Sequence, residues 1–212
     1  MRADAQRNRE RILDAAREVF AERGTDAPMS EVARRARVGI ATLSRRFPTR
    51  EDLVAATFED RLVSYASLVE VASQDPDPWR GFCALVERVC GMQSGDLGFT
   101  EVLTRSFPRV RGLEAGRLRA FAQFEDLVSR AQAVGDLRDD FVPEDLPLVL
   151  MAHAGVVTAT GDAAPNTGPR LVAYLLQSFA APARGELPRP PTPRQISRAL
   201  ARAQVQAGRA PV

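Results

Sequence analysis

SEVARRARVGIATLSRRF, residues 30–47, holds two short helical patterns around one tight turn. Ser30 stands before Glu31–Ala36 as its N-cap, because a Ser oxygen accepts from the unpaired N–H groups of a first helical turn. Arg37-Val38-Gly39 reads as the turn. Ile40–Phe47 is the second helix, and Pro48-Thr49 ends it. Neither segment is long enough to be stable in isolation. The apolar positions Val32, Ala33, Ala36, Val38, Leu43 and Phe47 therefore require a supporting surface, while Thr42, Ser44, Arg45 and Arg46 are left on the other side of the second helix.

The support lies just upstream. From Asn8 to Arg23, Ile12, Leu13, Ala15, Ala16, Val19 and Phe20 form one apolar stripe at helical spacing, and Gly24 stops the helix. Downstream, Thr49 caps a long helix over 50–72 that opens Arg50-Glu51-Asp52-Leu53, its two acids placed where the helix dipole favours them. Beyond it, Pro and Gly breaks delimit helices near 78–92, 97–106, 113–134, 143–160 and 168–181. β-branched alternation is missing, and no internal repeat is found. The expected fold is all-α, with about nine helices. Residues 1–53 form a three-helix head with a helix-turn-helix, residues 54–181 a larger helical-bundle body, and residues 182–212 a basic, Pro-rich tail expected to be largely disordered, with a short helix from Pro193 to Ala207.

Charge divides along the same lines. Residues 1–53 carry 12 Arg and 9 acids, residues 54–181 carry 11 Arg and 17 acids, and residues 182–212 carry 6 Arg and 1 acid. A basic head on an acidic body points to a polyanion at one end. All 29 cations are Arg, which reads as coding bias rather than function. No apolar run is long enough for a membrane span, and the first residues lack a signal-peptide core, so a cytoplasmic protein is expected. Two Cys make no disulfide framework.

A helix-turn-helix places its second helix in the major groove, where Arg bonds guanine bidentately and Arg, Ser and Thr hold phosphate. The motifs here are specific: I-L-x-A-A-x-x-x-F-x-x-x-G from Ile12, V-A-x-x-A-x-V from Val32, T-L-x-x-x-F from Thr42, and P-T-R-E-D-L from Pro48. Over residues 8 to about 62 the chain resembles the TetR family of transcriptional regulators; beyond residue 70 the likeness is one of layout. The resemblance implies that Ser30 caps the second helix and donates to a phosphate, and that Gly39 lets the recognition helix approach the DNA backbone closely. It implies further that Ile40, Ala41 and Thr42 face base edges or phosphate, that Ser44, Arg45 and Arg46 reach bases or backbone, and that Arg50 holds a phosphate. Three positions depart from the family pattern: Arg37 replaces a usual Gly, Ser44 a usual Tyr, and Arg46 a frequent His. In a left-handed backbone Arg costs about 1 kcal/mol relative to Gly.

The resemblance also implies a homodimer on a double-stranded DNA operator, paired through the last two body helices, with Leu171, Leu175 and Phe179 on the pairing stripe. It implies a small-molecule effector in the body and, by family default, repression. Phe82, Met92, Phe99, Phe107, Phe121, Phe124, Met151 and His153 are the pocket candidates. Each Phe and Met is first of all a core residue, and His153 suits either a ligand or an interface. Cys83 and Cys90 lie seven residues apart on one helix, ~10 Å along its axis, too far for a mutual disulfide. No cofactor, metal or membrane partner is expected. An enzyme is disfavoured by a single His and the lack of metal or phosphate-loop motifs. The competing reading is a helical protein-interaction adaptor that never meets DNA.

Overall fold

The computed structural model describes residues 2–93, 96–104, 111–192 and 194–195. Nine α-helices are found there: α1 (Arg2–Arg23), α2 (Met29–Arg35), α3 (Ile40–Arg46), α4 (Arg50–Ser73), α5 (Pro78–Gln93), α6 (Leu97–Thr104), α7 (Arg111–Ala133), α8 (Asp145–Thr160) and α9 (Thr167–Phe179). The architecture is all-α. A single isolated bridge, Leu137 to Ala180, is the only β pairing among the described residues.

Two hydrophobic clusters organise the chain. The head cluster gathers Ile12, Val19 and Phe20 of α1, Val32 and Ala33 of α2, Leu43 of α3, and Leu53 and Phe58 of α4. The α1 stripe is the surface that the two short helices needed. The body cluster gathers Phe82, Leu85 and Val89 of α5, Phe124 and Leu127 of α7, Val149 of α8, and Val172, Leu176 and Phe179 of α9. Helix α4 enters both clusters, with Leu53, Val54 and Phe58 buried at one end and Val69 and Ala72 at the other.

Helix α6 departs from the expected division. Its Phe99 and Val102 belong to the head cluster. The rings of Phe20, Phe58 and Phe99 stand in line, with successive centroids 6.2 and 6.0 Å apart. The close approach depends on Gly98, where a Cβ would come within 2.9 Å of Phe20 and Phe58 atoms. Glu101 then accepts from the Thr25 N–H at 2.7 Å and from the Thr25 hydroxyl, joining α6 to the turn that follows α1. Arg61 of α4 completes the junction by donating to Asp96 and to the Met92 carbonyl, with its guanidinium 3.8 Å from the Phe99 centroid.

The local capping chemistry confirms one sequence expectation and corrects another. Thr49 caps α4 in a reciprocal box with Asp52, whose carboxylate accepts from the Thr49 N–H at 3.1 Å while the Thr49 hydroxyl oxygen accepts from the Asp52 N–H at 3.1 Å. Ser30 does not cap α2. The N-cap is the extended Pro28, whose carbonyl accepts from Glu31 at 2.9 Å, so the helix starts at Met29 and Ser30 falls inside its first turn. Helix α1 also begins earlier than the apolar stripe suggested, at Arg2.

The start of the expected disordered tail is tethered. Arg138 is buried in the loop before α8 and donates to the Ser178 and Gly185 carbonyls, while Asp140 accepts from the Leu187 N–H at 2.9 Å. The Arg138 guanidinium and the Leu187 N–H hold the Asp140 carboxyl down at about 2. Apart from Arg194 and Gln195, the short helix expected from Pro193 to Ala207 lies outside the described residues.

Candidate nucleic-acid interface

The turn between α2 and α3 sets the recognition surface. The Arg37 N–H donates to the Arg34 carbonyl at 3.1 Å and the Val38 N–H to the Ala33 carbonyl at 3.0 Å, the two bonds of a Schellman ending. That ending needs a left-handed residue, and Arg37 supplies it with φ 54°. Glycine would adopt this conformation without steric cost. Arg11 of α1 braces the turn by donating to the Ala36 carbonyl at 2.7 Å.

Gly39 is the N-cap of α3, with extended backbone at φ −68° and ψ 142°. Its conformation does not demand glycine. A Cβ there would meet only the Thr42 hydroxyl, at 3.9 Å, so the space it leaves faces outward. Leu43 is fully buried against the head core. The same helical turn therefore exposes Ile40, Ala41, Ser44, Arg45 and Arg46, with Thr42 half-buried beside them. Arg50 is exposed at the start of α4, 3.4 Å from Asp26.

The head's cations fall into two groups. Arg35 bridges Glu18 at 2.9 Å and Glu22 at 3.0 Å on α1, which raises its own pKa and lowers that of Glu22. Arg23 pairs with Glu31 at 2.6 Å. These fasten α2 to α1 and are committed. Arg45 only donates back to the Ala41 carbonyl, and Arg46 has no carboxylate partner among the described residues. Both line a notch of about 250 Å³ with Thr42, Asn8, Arg9 and Ile12, and no acid shares that lining. Asn8 and Arg9 were missed in the sequence because they belong to the supporting helix. The clue was there: they sit one helical turn before Ile12, at the end of α1 that meets α3.

In the body, the candidate residues scatter. Phe82 and Phe124 are fully buried and stacked at 6.1 Å, Phe121 is half-buried on α7, and Met151 is half-buried on α8. Phe99 and Met92 pack with the head cluster, which removes Phe99 from the body altogether. Phe107 lies outside the described residues. None of these lines the cavity of about 540 Å³ between α4, α6 and α7, which is walled by Ala55, Ala56, Leu62, Tyr65, Val102 and Leu103, among others, and by Arg117 and Arg119. His153 is buried on α8 with Nδ1 unpartnered, and Gly168 of α9 packs against its ring. Burial lowers its pKa below 6.5, which keeps the imidazole neutral. Burial also pushes the Cys83 thiol up to about 11 and the Cys90 thiol up to about 12, the reverse of what a reactive thiol needs.

On the expected pairing stripe, Leu171 and Leu175 are half-buried and Tyr174 is exposed. Phe179 is buried within its own chain, edge-on to Phe141 at 5.0 Å. It is a core residue rather than one presented to a partner, because α9 turns Val172, Leu176 and Phe179 inward together.

Residues 12–57 match the family profile described as bacterial regulatory proteins, tetR family. That span covers the head from the α1 stripe to the first turns of α4. This head is that of the TetR family of regulatory proteins. Solved structures of regulators share the chain's overall fold. FadR from Bacillus subtilis, solved with stearoyl-CoA, is 17% identical with a TM-score of 0.57, covering 82% of this chain and 99% of that one. SmeT, the repressor of a Stenotrophomonas maltophilia multidrug efflux pump, is 20% identical with a TM-score of 0.54, covering 87% and 97%. AibR, solved with isovaleryl coenzyme A and operator DNA, is 15% identical with a TM-score of 0.57, covering 81% and 97%. A comparison with curated proteins gave no match. No described helix is long and apolar enough to cross a membrane.

Proposed function

We propose that this regulator is a homodimeric repressor that reads a palindromic operator with α3 and releases it when a small molecule binds the body. The observation that carries the reading is the outward pairing of Arg45 and Arg46 with Arg9 around an acid-free notch, while neighbouring head cations are spent on internal ion pairs. A DNA phosphate is the natural occupant of such a notch. Ile40, Ala41 and Ser44 then face the groove, Thr42 and Arg50 flank it, and Gly39 admits the backbone. Ser30, exposed inside the first turn of α2, is offered as a phosphate donor.

Pairing through α8 and α9 would set two heads about one helical turn, or ~34–36 Å, apart on the duplex. Leu171, Leu175 and the exposed Tyr174 are the side chains offered to the partner. Two fold relatives support the same scheme: SmeT is a repressor, and AibR was solved on operator DNA with isovaleryl coenzyme A. A ligand shifts operator affinity only by binding the two states of the dimer unequally. Helices α4 and α6 both reach the head core, so a ligand touching them has a route to α3.

Replacing single arginines separates this reading from a protein-interaction adaptor. Arg45→Ala is expected to weaken operator binding and relax discrimination among operator variants. Arg9→Ala is expected to weaken all variants alike and to lower the salt slope of log affinity by about one. An adaptor would keep its partner through both substitutions and show no salt-dependent DNA affinity.

A further inference from the structure

The exposed face of α3 changes chemistry along its length. Its far end carries Ser44, Arg45 and Arg46, and its first turn carries Ile40 and Ala41, all of them exposed. Of the described residues from Gln6 to Phe58, Ile40 is the one large apolar side chain left exposed, at 49%. No acid stands on α3. A Cβ at Gly39 would touch only the Thr42 hydroxyl, at 3.9 Å, so that side of the first turn is open. Arg45 and Arg46 begin ~8 Å further along the helix axis. They line the acid-free notch with Arg9, whereas Ile40 and Ala41 take no part in it. The group suited to phosphate and the apolar pair are therefore separate.

A recognition helix meets the base edges of the major groove with its N-terminal residues. Ile and Ala can neither donate nor accept a hydrogen bond there. Every base presents a donor or an acceptor in that groove, and thymine alone adds an apolar group, its 5-methyl. An isoleucine set on the amino group of cytosine or adenine, or on O6 and N7 of guanine, strips water from a polar atom and returns no bond. Set on the thymine methyl, it buries two apolar surfaces at once.

We infer that Ile40, with Ala41 beside it, reads the 5-methyl group of a thymine in each operator half-site, while the arginines at the other end of α3 fix the helix against the duplex. The inference rests on the operator-binding reading and names the base that the first turn of α3 selects. It makes Ile40 a specificity-determining residue. The arginines supply affinity that falls with salt, and the isoleucine supplies discrimination that does not, because it neutralises no phosphate. Any other base beneath Ile40 is disfavoured by at least about fivefold.

A deoxyuridine scan tests the assignment. The full chain first enriches a sequence from random duplex DNA, and each thymine of that sequence is then exchanged for uracil, which removes one methyl and keeps every hydrogen bond of the pair. At one or two thymines of the half-site, affinity is expected to fall about fourfold for one half-site and about fifteenfold for both. Ile40→Ala changes an exposed position to a good helix former, so folding is kept. It is expected to weaken the thymine operator by at least about fourfold, to leave the salt slope of log affinity unchanged, and to abolish the distinction between thymine and uracil at the sensitive position. Ile40→Val keeps a branched apolar group and is expected to retain that distinction. An enriched half-site without thymine, a flat scan, or an Ile40→Ala chain that still tells uracil from thymine at the same position would overturn the inference. Enrichment of a symmetric, salt-dependent site alongside any of these leaves the regulator reading standing; enrichment of nothing overturns both.

Discussion

The head and the body are each built around aromatic rings, and they differ in what those rings join. In the body, Phe82 is the hub, with Trp79, Phe124, Phe141 and Phe179 around it on elements of the body itself. In the head, the line Phe20–Phe58–Phe99 runs out of the three-helix unit, through α4 and into α6. The head is therefore not a freestanding module. Its core is finished by a helix from beyond residue 96, and the body reaches the DNA-reading end through that helix as well as through α4. Between the two cores α4 has no fully buried residue from Glu59 to Leu68, and it is along this weakly packed middle that the large cavity opens. A regulator profits from a joint placed there, since a ligand alters contacts that are not already fixed by dense packing.

Phe99→Ala has the largest expected effect on the union of α6 with the head. Removal of a fully buried ring from the head cluster is expected to cost about 3–5 kcal/mol in urea unfolding and to abolish operator binding. A cost below about 1 kcal/mol would place α6 outside the head core. Glu101→Ala comes next. It strips the acceptor from the buried Thr25 N–H and hydroxyl, for an expected loss of about 1–3 kcal/mol and faster hydrogen exchange at the Thr25 amide. An unchanged exchange rate would show that the α1–α6 latch does not hold the turn. Arg37→Gly works in the opposite direction. Relief of the left-handed arginine is expected to stabilise the head by about 1 kcal/mol in the same unfolding assay, and a destabilised variant would contradict the strain argument.

The smallest effect concerns the body alone. The folded His153 imidazole titrates below its ordinary 6.5 because it is buried, so on acidification the unfolded chain binds that proton first. Stability is fully present above pH 6.5 and falls as the pH drops below it. His153→Leu is expected to flatten that part of the curve. The Asp140 carboxyl, held at about 2 against an ordinary 3.8, acts in a separate window: its contribution is present above 3.8 and lost as the pH falls toward about 2. A pH profile identical in the wild type and His153→Leu between about 7 and 5 would remove the imidazole from the account.

How much of this was legible in the sequence follows from where the information lies. The head's fold and outward face could be read because its signals are local. The α1 stripe, the seven-residue helices, the turn at Arg37 and the Thr49 cap each occupy a few consecutive residues. Arg45 and Arg46 could be picked as outward because Leu43 fixes which side of α3 faces in. Arg9 escaped because its role depends on α1 crossing α3, which no periodicity encodes. The body's cavity escaped for the same reason in stronger form. Leu62, Val102 and Arg117 come together from three helices, and the large aromatics that attract attention in the sequence went into the cores instead. Phe179 shows the limit of a stripe: hydrophobic spacing says that a face is covered, and not whether its own chain or a partner covers it. Ser30 shows how a cap is displaced when a proline two residues earlier already supplies the extended residue and the accepting carbonyl.

The acid-free face around α3 is expected to read duplex DNA. The measurement is selection of random duplex DNA by the purified full chain, followed by salt titration of the enriched sequence. The expected result is a two-fold-symmetric site with half-sites one helical turn apart and an affinity that falls steeply as salt rises. A folded chain that enriches no sequence, or one whose DNA affinity is indifferent to salt, would contradict it.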